Sequence, residues 1–353
     1  MFTTSSVLRL RVLLVAGLIA VTPYSAHQAA NAQTTTVNEW AWMGGSNTGY
    51  GTAQYGTLGT PAAVNIPGDR YCASSWTDSN GNLWLFGGQG EDAEGKWGYL
   101  NDLWEFNPST NEWAWMGGSS AVPLSCGNSN PCGQSGEYGT LGTLAAGNIP
   151  GGRCCFSSWT DSSGHIWLFG GNGFDANGTF TFYLNDLWEL YPSTNEWAWM
   201  GGSSTVPYKN YIQPGVYGAL GTPAAGNIPG GRGGAASWTD SKGNFWLFGG
   251  GGAPNDLWEF NPSLGTNGEW TWMGGSSTLP SNGIEPGVYG TLGTPAAGNF
   301  PGGRNGAASW TDSSGNLWLF GGYGVPNDLW KYQLTATNLR NNADGNLSGD
   351  GGL

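Results

Sequence analysis

Ser309-Trp310-Thr311-Asp312-Ser313-Ser314-Gly315-Asn316-Leu317-Trp318-Leu319-Phe320-Gly321-Gly322 reads as a β-hairpin whose second strand cannot face water. Asp312 to Asn316 is a turn, with Gly315 free to take a positive φ. Leu317 to Phe320 has no polar side, and a strand of that kind must be covered on both faces. The stretch recurs almost literally. Ser-Trp-Thr-Asp stands at 75–78, 158–161, 237–240 and 309–312, and Trp-Leu-Phe-Gly-Gly at 84–88, 167–171, 246–250 and 318–322. Two further motifs share the period: Asn-Asp-Leu-Trp at 101–104, 185–188, 255–258 and 327–330, and Glu-Trp-x-Trp-Met-Gly-Gly at 39–45, 112–118, 196–202 and 269–275.

Each unit of about 72 to 84 residues therefore predicts four strands, here a to d. Strand a is a run of small residues ending in Ser-Trp-Thr, and strand b is the apolar run. Strand c alternates, as in Leu103-Trp104-Glu105-Phe106, and strand d puts Trp113 and Trp115 on one face. Asn107-Pro108-Ser109-Thr110-Asn111 makes a short c-to-d turn. Four meander sheets, each too apolar to stand alone, predict an all-β propeller. The chain begins with a lone strand d (Glu39 to Met43) and ends with a, b and c (to Tyr332), so four blades are expected, the ring closed by the N-terminal strand in the last blade.

The Gly-Gly after strand b, the aromatic in Leu-Trp-Glu-Phe and the Trp of Asn-Glu-Trp resemble the kelch motif, over residues 38 to 334. The chain is similar to the kelch-type central domain of galactose oxidase and to bacterial secreted kelch-repeat proteins. It departs from the pattern in having four units where five to seven are usual. A long segment, Tyr-Gly-x-Leu-Gly-Thr-x-Ala-Ala-x-Asn-x-Pro-Gly, also precedes strand a.

Arg9 and Arg11, the apolar run Val12 to Val21 and Ala30-Asn31-Ala32 read as a signal peptide over residues 1–32, too short to span a bilayer. The propeller is expected over 33–336 and a disordered tail over 337–353. The mature chain keeps nine basic against 24 acidic residues, which disfavours nucleic acid and anionic membranes as partners. A secreted protein, extracellular or periplasmic, is expected.

Meander topology sends the d-to-a loops (46–69, 119–152, 203–231, 276–303) and the b-to-c loops (89–100, 172–184) to one face, the expected binding face. They could equally plug the channel. Twenty of the 21 tryptophans hold repeat positions and read as core. Trp97 falls outside the pattern, with Tyr99, and is the candidate ligand contact; Tyr50, Tyr208 and Tyr211 are similar. Arg70, Arg153, Arg232 and Arg304 precede strand a in each unit. They could ring the axis and hold an anion, or pair internally with Asp102, Asp186, Asp256 and Asp328.

Cys126 and Cys132 flank one loop segment and predict a disulfide; the pairing of Cys72, Cys154 and Cys155 stays open. Glu91-Asp92-Ala93-Glu94 and Asp175-Ala176-Asn177-Gly178 lack the spacing of a calcium loop. The galactose oxidase resemblance implies a copper site needing two imidazoles. The mature chain has one histidine, His165, which replaces the Asn of an a-to-b turn (Asn82, Asn244, Asn316). No cofactor or metal is expected. The reading favours a non-catalytic module that binds a glycan or a protein. The alternatives are a carbohydrate-active enzyme using carboxylates and a purely structural protein.

Overall fold

The computed structural model describes residues 40–49, 51–123, 131–252, 254–280, 283–323 and 327–334. The chain divides into two compact units, Met1–Met43 and Gly44–Leu353. In the first, residues 40–43 form no strand and Trp40 is fully exposed. The signal segment 1–32, the tail 337–353, Tyr50 and Cys126 lie outside the described residues, and with Cys126 the expected bridge to Cys132.

Among its described residues, the regular structure of the second unit is all strand. The first repeat gives β1 (Arg70–Tyr71), β2 (Ser74–Thr77), β3 (Leu83–Phe86), β4 (Gln89–Glu91), β5 (Trp97–Tyr99), β6 (Leu103–Asn107) and β7 (Glu112–Gly117). The second gives β8 (Arg153–Cys154), β9 (Ser157–Thr160), β10 (Ile166–Phe174), β11 (Phe180–Tyr191) and β12 (Glu196–Gly201). The third is β13 (Ala236–Thr239), β14 (Phe245–Phe248), β15 (Leu257–Asn261) and β16 (Glu269–Gly274), and the fourth β17 (Ala308–Thr311), β18 (Leu317–Phe320) and β19 (Leu329–Tyr332). The main sheet of each repeat is an antiparallel meander in the predicted order, β2-β3-β6-β7, β9-β10-β11-β12, β13-β14-β15-β16 and β17-β18-β19. The register repeats too: Trp76 faces Trp84, Trp159 faces Trp167, Trp238 faces Trp246 and Trp310 faces Trp318. This is an all-β, kelch-like propeller architecture.

Sheets that are apolar on both faces must stack, and they do. One buried cluster joins the first repeat (Trp84, Phe86, Leu103) to the second (Ile166, Leu168, Trp188, Trp197). A second joins Trp159, Trp167 and Phe169 to Phe245, Trp258 and Trp270, and a third joins Trp238, Trp246 and Phe248 to Leu317 and Leu319. Burying each such side chain contributes about 1.5–3 kcal/mol. The innermost strands also touch through their backbones. Cys155 N–H donates to Cys72 C=O (3.2 Å), Gly234 to Cys155 (2.7 Å) and Gly306 to Gly234 (2.8 Å). That position is left-handed in every repeat, with φ of 53° and 57° at Cys72 and Cys155 and 65° at both glycines. The small residues of strand a permit this approach, as the Ser309 Oγ bond to Ser237 C=O (3.2 Å) shows.

Three features differ from expectation. The b-to-c connections are not irregular loops: β4 and β5 form a hairpin that pairs with β1, and β10 and β11 run on as one long hairpin. The segment before strand a does not plug a channel. Ala62, Ala145 and Ala224 bridge to Trp113, Trp197 and Trp270 on β7, β12 and β16, so it covers the outer edge of its own sheet, as exposed strand edges require. Asn65, Asn148 and Asn227 clamp it by donating to those same tryptophan carbonyls. Finally, the fourth sheet has three strands among the described residues. Leu292 in its edge segment is fully exposed, whereas its equivalents Leu58, Leu141 and Leu220 are roughly half covered. Glu39 lies outside the described residues, and closure of the ring by Glu39 to Met43 stays an expectation of the sequence.

Candidate functional site

The four arginines are not a ligand ring. Each guanidinium forks onto the aspartate of its own repeat, Arg70 on Asp102, Arg153 on Asp186, Arg232 on Asp256 and Arg304 on Asp328, with N···O distances of 2.7–2.9 Å. Their Nε and remaining Nη1 hydrogens go to glycine carbonyls, as at Arg232 to Gly230 and Gly249. The pairs are buried, so the internal pairing weighed above is the one the fold uses. Each aspartate also accepts a tyrosine hydroxyl from the edge segment (Tyr55, Tyr138, Tyr217, Tyr289) and the indole N–H two residues on (Trp104, Trp188, Trp258, Trp330). Burial raises the Asp328 carboxyl, but the bonds from Arg304, Trp330 and Tyr289 outweigh it and hold it at about 2.

Tyr99 is likewise withdrawn from ligand contact. Its ring is buried against Phe174 and Phe180 of the neighbouring repeat's long hairpin. Trp97, two residues earlier, is also on β5 but remains 43% exposed. It stacks on Tyr71 of β1, centroids 6.0 Å apart at 25°, and Tyr71 is 52% exposed. The Tyr71 hydroxyl is fixed by Gln89 on β4. The three strands therefore hold two stacked aromatic rings, inclined by 25°, at the surface. Tyr208 and Tyr211 make a second contact, edge to face at 4.9 Å, with Tyr208 exposed.

Beside Tyr71 lie three thiols. Cys154 and Cys155 have their sulfurs 3.3 Å apart, and Cys72 belongs to the same inter-sheet hydrogen bond as Cys155. The hydrogen bond from Cys154 lowers Cys155 to about 6 against the effect of burial, while burial and the neighbouring Cys155 raise Cys72 to about 11. Within the Cys154–Cys155 pair, the charged form is favoured on Cys155.

At the opposite ends of the strands, the a-to-b turns are built on their aspartates. Asp161 Oδ1 accepts the N–H of Ser163 and of His165, and Oδ2 accepts Trp167 Nε1–H at 3.2 Å. His165 Nδ1 lies 2.9 Å from Glu189 Oε1 on β11 and 3.4 Å from Asp161 Oδ2, and its ring stacks on Tyr191 at 3.7 Å. Burial raises Glu189 to about 7, against the pull of His165. Asp161, Glu189 and Tyr191 line a cavity of about 390 Å³ that the next repeat completes with Lys242 and Asn244. Sequence reading placed His165 in a turn but not Glu189 beside it. The signal was the strand c Glu at the same repeat position, Glu105 and Glu259, which Asn82 and Asn244 reach at 2.7 Å.

No protein-family model matches the chain. It is 27% identical over 142 residues to the N-acetylneuraminate epimerase of Shigella sonnei (strain Ss046), a match spanning 40% of this chain and 38% of that protein. The chain thus matches less than half the length of that curated relative. Among solved structures, the structure of YjhT shares 20% identity with a TM-score of 0.43, covering 74% of this chain and 61% of that one. The kelch-like reading rests on the repeat and its sheets, and neither likeness extends it to the galactose oxidase domain in particular.

Proposed function

We propose that this chain is a secreted carbohydrate-binding module whose ligand stacks on Trp97 and Tyr71. The observation that carries the reading is that exposed, stacked ring pair. Tryptophans at the repeat positions are held by the sheets, and burying indoles is the ordinary way to stabilise a core. Trp97 stands outside the repeat and is 43% exposed, where the indoles of the core are buried. Aromatic faces suit the C–H faces of sugar rings. The likeness to an epimerase of a sugar acid supports carbohydrate as the ligand class.

The test is a glycan array with the exported protein, including N-acetylneuraminate and neutral sugars, repeated with Trp97→Ala and Tyr71→Ala. Saturable binding to one sugar class, weakened at least tenfold by either change without loss of melting temperature, is the expected result. Binding untouched by both changes would refute the platform. A second reading, catalysis on a sugar acid, is favoured by the epimerase match. Exchange of N-acetylneuraminate anomers accelerated by the protein and followed by NMR would establish it.

The proposal includes a closed ring. Glu39 to Gly45 has the sequence of β7, β12 and β16, and β19 is the one strand c without a described strand d beside it. N-terminal sequencing of the exported chain should begin at Gln33.

A further inference from the structure

We propose that Asp161, His165 and Glu189 form a binding site for one divalent transition-metal ion of the zinc class, at the end of the sheets opposite the aromatic platform. The three donor atoms lie within 4.8 Å of one another. A tetrahedral ion with bonds of about 2.0–2.1 Å needs its donors about 3.3 Å apart. The Nδ1 of His165 already stands 2.9 Å from the Glu189 oxygen and 3.4 Å from that of Asp161, so two of the three donor pairs are near bonding separation and the two carboxylates, within 4.8 Å, close by side-chain rotation.

The donors are held before any ion arrives. Asp161 is fixed by two backbone N–H groups and by the Trp167 indole, and the imidazole is pinned on Tyr191. Such supporting contacts orient metal ligands and raise their affinity. Glu189 is more than nine-tenths buried, yet Asp161 and Glu189 both border the cavity of about 390 Å³. The cavity beside the two carboxylates has room for water or another ligand, as sites with an open coordination position require, though His165 itself does not line it. Lys242 shares the cavity wall, but it is solvent-exposed and its charge is screened. One imidazole with two carboxylates selects zinc, cobalt or nickel over calcium and magnesium, which take oxygen alone. Binding uses the Nδ1 lone pair, so a proton shared between Nδ1 and the Glu189 carboxyl moves to Nε2 or leaves to solvent.

The other repeats show that nothing in the fold demands this. Asn82 and Asn244 fill the same position and bridge the same two carboxylates through an amide, Asn244 at 3.2 Å to Asp240 and 2.7 Å to Glu259. An amide nitrogen holds the turn but cannot ligate. In the second repeat alone the bridging atom is one that can.

The repeat also supplies the control. His165→Asn restores the turn of its neighbours and should fold as the wild type does. The metal-free full-length mature chain is titrated with Zn²⁺ calorimetrically and with Co²⁺ by visible absorption. The expected result is one ion per chain at micromolar concentration, with a Co²⁺ spectrum of low-coordinate form. His165→Asn and Glu189→Gln should each weaken binding at least thirtyfold, and Zn²⁺ should raise the melting temperature of the wild type but not of His165→Asn. Absence of Zn²⁺ binding up to millimolar concentration would overturn the proposal, and so would equal binding by His165→Asn. Glycan binding through Trp97 should be indifferent to both variants.

Discussion

Asp256→Ala removes one carboxylate and disconnects four hydrogen bonds at once. Oδ1 takes Arg232 Nη1–H at 2.8 Å, while Oδ2 takes Arg232 Nη2–H at 2.8 Å, Tyr217 O–H at 2.8 Å and Trp258 Nε1–H at 2.6 Å. Arg232 is 1% exposed, so its charge stays behind in a site that water cannot enter. Removing one partner of a buried pair costs about 3–5 kcal/mol, and stranding the indole N–H adds about 1 kcal/mol or more. A loss of about 5 kcal/mol corresponds to a fall in melting temperature of about 10–20 °C for a domain of this size. Asp328→Ala should cost less, about 3 kcal/mol, because the Asp328 side chain is 11% exposed and its Tyr289 partner is half-exposed, so water can enter from that side although the Arg304 side chain is itself buried. The double change Arg232→Met with Asp256→Leu should recover more than half of the loss, since it leaves no uncompensated charge. Urea midpoints and calorimetric melting on all three variants are the assay. If Asp256→Ala costs under about 1 kcal/mol, or Asp328→Ala costs as much as Asp256→Ala, the arginines are not structural in the way argued.

Three further outcomes follow from the same geometry. Burial, aided by Asp240, raises Glu259 from its ordinary 4.5 to about 7. A raised carboxyl stabilises the fold fully below its unfolded value and loses that contribution as pH rises through the folded one. Wild-type urea midpoints should therefore fall between about pH 4.5 and 7, and Glu259→Gln, which can still accept from Asn244, should reduce that fall. Asp328, held at about 2, works in the opposite sense: its contribution is present above about pH 4 and is lost as pH drops through about 2, a second decline measurable in the acid limb. Cys155→Gly places at φ 57° the residue that Gly234 and Gly306 already use there, so stability should stay within about 1 kcal/mol of wild type while rapid iodoacetamide labelling near neutral pH disappears, as peptide mass mapping would show.

The sequence spelled out the sheets because each strand carries its burial in its own residues. Leu-Trp-Leu-Phe has no polar face to leave in water, and the turn after Ser-Trp-Thr needs its Asp and Gly wherever it occurs. The roles of the edge segment were not legible, because Tyr55 and Asp102 are 47 residues apart and meet only after the sheet has formed. The arginines illustrate the harder case. Equal spacing makes them a ring on paper, and only the position of the aspartates shows that four of their five hydrogens are spent within the repeat. What repeats is thereby shown to be structure. The functional readings accordingly fall on residues that break the repeat: Trp97 in a hairpin with no counterpart among the described residues of the third and fourth repeats, and His165 where the turn elsewhere has asparagine. A repeat fixes a scaffold by satisfying the same groups in the same way each time. A side chain that departs from it, while the backbone around it does not, is free to be used for something else.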